Sequence, residues 1–214
     1  MGLQARVDGL LRSIAAHSGG CDGVVRHVIA YSGGVDSSLA AALVVRVFPT
    51  QTAACLGVSP SLSLHQLTQA RDVATSIGID LWECATREAE HEGYVENKGK
   101  SCYYCKTTLY STIQQVTEYA AKRARGQGGE AFQPMIYNGT NGDDVKDPTR
   151  VAKEYAVVSP LISLTKDQVR ETAKYLGLPN WNAAASPCLR SRLEFGIEAT
   201  EVRRADRLSI IVVC

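Results

Sequence analysis

Apolar positions along this chain alternate between short continuous runs and longer stretches with helical spacing. The runs His27 to Tyr31, Thr52 to Val58, Ile79 to Cys84 and Met135 to Asn138 read as buried strands. Between the first two, an apolar run from Leu39 to Val47 reads as a helix. A second helix carries Leu64, Leu67, Ala74 and Ile77 on one face and closes at Gly78. A long helix is expected from about Cys102 to Arg123, with Cys105, Leu109, Ile113, Val116 and Ala120 aligned. Thr165 to Gln168 form a capping box that opens a helix burying Val169, Ala173 and Leu176, stopped by Gly177 and Pro179. Leu3, Val7, Leu10, Leu11 and Ile14 predict a surface helix at the start, and Asp8 argues against a mitochondrial presequence there. Strands alternating with helices predict an α/β domain with a mainly parallel sheet.

The loops divide the chain further. Residues Glu88 to Lys100 read as polar and irregular, and Arg125 to Gly129 as a loop. Val157 and Val158 lead into Ser159-Pro160-Leu161. After Trp181 the texture changes to an exposed loop, Ala183 to Cys188. The expected organisation is a helix and loop over 1–24, the main domain over 25–180, and a cysteine- and arginine-bearing region over 181–214. No repeat or low-complexity tract interrupts it.

Length and charge narrow the class. The chain has 214 residues, 45% of them hydrophobic, enough for one substantial core. A net charge of +1 gives no global attraction to nucleic acid or to an anionic membrane. No apolar run approaches membrane-spanning length. Seven cysteines with no secretory signal before them point to a reducing, cytoplasmic compartment.

The chemistry concentrates first at Ser32-Gly33-Gly34-Val35-Asp36-Ser37-Ser38, between a strand and a helix. Paired glycines let the backbone turn tightly and bring free N–H groups close to an anion at the helix start. Ser32, Ser37 and Ser38 add hydroxyl donors, and Asp36 can hold a metal beside phosphates. The Walker pattern is absent. The stretch resembles the PP-loop of the ATP pyrophosphatases, which cleave ATP between the α and β phosphates, adenylate an oxygen and release pyrophosphate.

Cysteines form the second concentration. Cys102 and Cys105, three apart at a helix start, share one face, where the helix dipole and Lys106 favour thiolate. Such a pair can hold a soft metal, form a disulfide or attack an electrophile, or it can simply face the core. Cys188 lies in Pro187-Cys188-Leu189-Arg190-Ser191-Arg192, a loop whose arginines favour thiolate and can bind carboxylate or phosphate. Cys55 and Cys84 read as core, and neither they nor Cys21 and Cys214 are assigned a role.

The motifs together resemble the LarE-type ATP-dependent sulfur transferases that build the nickel-pincer cofactor. The matching pieces are the Ser32 to Ser38 loop, Ser101 to Lys106, Asn138 to Asp144, Ser159 to Leu161, Thr165 to Arg170, Leu176 to Pro179, and Pro187 to Arg192 with Phe195-Gly196. The resemblance implies that ATP adenylates a pyridinium-dicarboxylate mononucleotide and that sulfur displaces AMP to leave a thiocarboxylate. Asp36 would hold Mg²⁺, Lys106 and Lys166 would neutralise phosphate charge, and Asp143 and Asp144 would close the ATP site. Arg190 and Arg192 would bind the acceptor. Sulfur would come either from Cys188 itself or from a four-iron four-sulfur cluster on Cys102, Cys105 and Cys188. Three thiolates leave one iron exchangeable, which favours the cluster. A sulfide or other sulfur donor would then be a partner, and the family's habit of assembly implies a homo-oligomer.

Two departures are visible. Asp147 to Arg150 lacks the family's Arg-Pro-Gly, and the chain stops at Cys214 where the family continues into a small C-terminal domain. The expectation is therefore a truncated C-terminal region, with activity in question and an apolar tail, Ile210 to Cys214, able to seek a partner. The competing readings are a transfer RNA-thiolating or amidating PP-loop enzyme, and an inactive nucleotide-binding protein.

Overall fold

The computed structural model describes residues 2–17, 24–126, 128, 132–146 and 151–199. Expectations about Cys21, Asp147 to Arg150 and the tail from 200 to Cys214 lie outside these residues.

Among the described residues, four parallel strands form one sheet: β1 (Val24–Tyr31), β2 (Thr52–Val58), β3 (Asp80–Ala85) and β4 (Phe132–Tyr137), in the order β3-β2-β1-β4. Register is set by pairs such as Ile29 with Ala54, Ala54 with Leu81 and Val28 with Ile136. The chain steps outward from β1 to β3 and then crosses back to β4 on the other side of β1. That reversal opens a crevice beyond the strand ends, where open α/β sheets bind ligands. A parallel bridge from Tyr137 to Val158 adds to the far edge of β4. Pro134 lies within β4, which tolerates the missing N–H because it is an edge strand over that stretch.

Alternation along the strands feeds two cores. Ile29, Ala54 and Leu56 pack with α1 (Leu3–Ala16), α2 (Val35–Val47), α3 (Leu64–Ile77) and α7 (Lys166–Tyr175). Val28, Cys55 and Ile136 turn the other way, toward α5 (Ser101–Gly126) and α6 (Val151–Glu154). α2 is central and buries an almost unbroken run from Leu39 to Val44, so its sequence shows no polar face. No helix among the described residues is long and apolar enough to cross a membrane.

Three expectations are revised. The stretch expected to be irregular holds a 3-10 turn at Glu88–Glu90 and a short helix, α4 (Glu92–Val95), anchored by buried Glu88 and Tyr94. On α3 the inward residues are Ala70, Val73 and Ala74, whereas Leu64 is 77% exposed, because the first turn stands clear of the sheet. On α5, Tyr110, Ile113 and Thr117 are buried, while Cys105 one turn earlier is open. The helix outruns the sheet there, and its first turn faces a cavity instead of the core.

Candidate functional site

The loop after β1 is shaped by steric necessity. Gly33 has φ +75°, and a Cβ there would sit 2.7 Å from Ala70 Cα, so both torsion and space demand glycine. Gly34 caps α2 in an extended conformation, leaving the first helical N–H groups free for an anion. Ser32 N–H donates to Ser37 Oγ (3.2 Å), and Ser37 Oγ donates to the Gly34 carbonyl (3.1 Å). Ser38 is fully buried behind the loop. The serine hydroxyls thus fold the loop as well as flank it.

Distant residues lock it further. Asn180 donates from Nδ2 to the Gly33 carbonyl (2.8 Å) and to Ser38 Oγ (3.0 Å). Gly139, just past β4, lies so close that a Cβ would fall 2.5 Å from Ser37 N. Asn141 Nδ2 donates to Asp36 Oδ1 (3.0 Å), and Lys166 Nζ pairs with the other side of the same carboxylate. Asp143 Oδ2 accepts from the Lys166 backbone N–H (2.7 Å), and Asp144 Oδ2 from the Asn141 N–H (3.1 Å). Asp143 therefore pins the start of α7 to the Asn138 to Asp144 turn and lines neither cavity of the site.

Two cavities meet at this loop and share Ser32, Gly34, Asp36, Lys106 and Leu109. One, of about 720 Å³, lies at the β1/β4 crevice and is lined by Asn138, Gly139, Thr140, Asp144, Lys153 and Ser159. The other, of about 460 Å³, lies over β2 and is walled by the first turn of α5 and the Ala183 to Ser191 segment. Cys102, Cys105 and Cys188 all line this second cavity, with Lys166, Arg170 and Arg190.

The cysteine wall is built loosely. Gln66 Nε2 donates to the Ser186 carbonyl (2.8 Å) and Leu189 N–H to the Ser61 carbonyl (2.9 Å), which hang the loop from the α3 side. Cys188 Sγ lies 2.8 Å from Ser191 Oγ. Arg190 reaches Asn97 Oδ1 and Ser101 Oγ and stacks 5.5 Å over the Tyr94 ring. Arg192 turns to the Pro187 carbonyl (3.3 Å) and lines neither cavity. Against the expectation of a favoured thiolate at the helix start, burial raises the Cys105 thiol to about 12; the charges of Glu88, Cys188 and Cys102 add to the rise and Lys106 opposes it. Cys105 is nonetheless solvent-exposed as a residue.

Metal-binding capacity follows from these positions. Among the described residues, no three His, Cys, Asp or Glu side chains converge on a single ion. A magnesium on bound phosphates needs only one or two carboxylates, and Asp36 and Asp144 flank the same cavity. A four-iron cube takes thiolates at separate corners, and the three cysteines lining one cavity supply a donor set of that kind.

Sequence reasoning gave no role to Asn180, Asn141, Glu88, Tyr94 or Arg170. Asn180 acts through two long-range bonds and Asn141 through one, and neither leaves a periodic trace. Glu88 and Tyr94 sit in a stretch that looked merely polar. The capping box that starts α7 was the signal for Arg170, five residues after its Thr165 cap.

The model of the NAD synthase family matches residues 6–102. The uncharacterized protein slr1717 of Synechocystis sp. (strain ATCC 27184 / PCC 6803 / Kazusa) is 36% identical over 181 residues, 81% of this chain and 63% of that protein. The chain thus spans less than two thirds of that relative's length. Among solved structures, the NH3-dependent NAD synthetase from Campylobacter jejuni subsp. jejuni NCTC 11168, in complex with the nitrate ion, superposes with a TM-score of 0.60 at 16% identity, covering 84% of this chain and 75% of that one. The chain has an NAD synthetase-like α/β fold and resembles the NAD synthase family in sequence across its phosphate-loop half.

Proposed function

We propose that this chain is a PP-loop sulfur transferase. It adenylates a carboxylate of a pyridinium-dicarboxylate mononucleotide with ATP, releases pyrophosphate, and replaces the adenylate oxygen with sulfur. The observation that carries this reading is the placement of three cysteines on the wall of a cavity whose floor is the phosphate loop, Asp36 and Lys106.

The loop amides and the start of α2 bind the phosphates. Lys106 and Lys166 offset charge on the departing pyrophosphate, Lys166 by leaving its pairing with Asp36. Asp36 and Asp144 would hold magnesium, which would screen the same charge. The acceptor carboxylate attacks the innermost phosphorus, and the bond to pyrophosphate breaks. Arg170 and Arg190 hold the acceptor near that phosphorus. Sulfur then attacks the acyl carbon, and AMP leaves with the electron pair of the broken C–O bond. Cys102, Cys105 and Cys188 would hold a four-iron four-sulfur cluster, which when bound would supply that sulfur as sulfide.

The test is anaerobic incubation with ATP and the dicarboxylate mononucleotide. Equal AMP and pyrophosphate, with one oxygen of the acceptor exchanged for sulfur, is the expected outcome. Iron content should fall in Cys188→Ala; unchanged iron with a Cys188 that has lost its sulfur would assign the sacrificial route. The NAD synthase family match favours a second reading, amidation by ammonia after the same adenylation. An amide product under ammonium, with no thiocarboxylate under sulfide, would replace the first reading with the second.

A further inference from the structure

Glu88 opens the 3-10 turn after β3 and lines the cysteine-bearing cavity. It is 3% exposed, yet its Oε2 meets no hydrogen-bond partner among the described residues. A buried carboxylate oxygen without a partner is costly, and native structures keep one only where something else completes it. The other ionisable residues around it make the point sharper. The cavity is lined by four cations, Lys106, Lys166, Arg170 and Arg190, and by two acids, Asp36 and Glu88. Asp36 is engaged by Lys166 and Asn141. Arg190 is held by Asn97 and Ser101 through Nη2, while its Nε, like that of Arg170, meets no partner among the described residues. Tyr94, beside Glu88, spends its hydroxyl on Ser61 at 2.6 Å. Glu88 is left as the buried acid with an unpartnered oxygen, in a lining that also holds Asp36 and four cations.

Such a lining fits a ligand of mixed charge. The cations suit its carboxylate or phosphate, and Glu88 suits a positive centre set apart from them. We propose that Glu88 reads a cationic ring nitrogen on the acceptor and discriminates it from a neutral ring of the same shape. The proposal rests on the adenylating reading above, and it names a specificity-determining residue within it.

The experiment titrates two probes by calorimetry against the whole chain without nucleotide. One is nicotinic acid mononucleotide, whose ring nitrogen is positive. The other is the same ribose phosphate bearing a benzoate ring, which is neutral. Wild type should bind the cationic probe about tenfold more tightly, the difference between a charge-assisted and a neutral contact. Glu88→Gln keeps an acceptor oxygen and removes the charge, so its preference should shrink below about twofold. Equal affinities in wild type, an unchanged preference in Glu88→Gln, or no binding of either probe overturns the proposal. The wild-type ratio alone decides the matter if the variant fails to fold. ATP affinity is measured separately on the same preparation, so failure of the adenylating reading shows up as lost ATP binding and leaves the ring preference measurable.

Discussion

The two walls of the cysteine-bearing cavity are built in opposite ways. The phosphate loop is fixed from every side: Gly33 and Gly139 by contact too close for a side chain, the Gly33 carbonyl by Asn180, and Asp36 by Asn141 and Lys166. The facing wall is a first helical turn with exposed Cys102 and Cys105 and a loop hung by a few bonds from the α3 side. Backbone amides bind phosphate well only when preorganised, since their geometry is the catalytic device. Thiols proposed to receive sulfur or iron need access and some freedom. One cavity thus holds a rigid half and an adaptable half, and substitutions in the two should differ in kind.

Gly139→Ala should give the largest effect. Its Cβ would overlap Ser37 N, so the loop must move, with about a hundredfold loss of ATP affinity and about 2 kcal/mol of stability. Calorimetry and thermal unfolding measure the two, and a normal affinity would show that the loop is not rigid. Asn180→Leu comes next. It strands the Gly33 carbonyl and Ser38 Oγ, at about 1–3 kcal/mol, with roughly a tenfold weaker ATP affinity. On the other wall, Cys105 should react with iodoacetamide at least about tenfold more slowly than a free thiol at pH 8. Its thiol is raised, so the neutral form persists and the thiolate appears only as pH climbs toward about 12. Mass spectrometry of the Cys102–Cys105 peptide across pH reads the effect, and a rate that levels off near pH 9 would contradict it. Arg192→Ala should do least, leaving ATP and acceptor affinities within about twofold, because Arg192 reaches only the Pro187 carbonyl.

The parts of this architecture that were legible in the sequence are those with a period or a stereotyped boundary. β2 over Thr52–Val58 and α3 over Leu64–Ile77 fall where the apolar runs and Gly78 place them. The Thr165 and Gln168 pair caps α7 reciprocally, as its spacing requires. The glycine loop was legible because torsion and close approach restrict the residue type. What stayed hidden acts one residue at a time. Asn180 follows a helix stop and looks like any loop residue until the fold carries it to Gly33. Arg190 and Arg192 look equivalent in sequence, yet the 3-10 turn over Leu189–Arg192 points one into the cavity and the other back along its own loop. Cys55 and Cys84, read only as core, lie with sulfurs 3.4 Å apart on neighbouring strands, a proximity set by sheet register.

The bond from Asn180 to the phosphate loop spans 147 residues. During synthesis the loop therefore emerges long before its clasp exists, by on the order of ten seconds at ordinary translation rates. The loop leaves the ribosome without the bond that completes its shape, and gains it only when the far end of the domain follows.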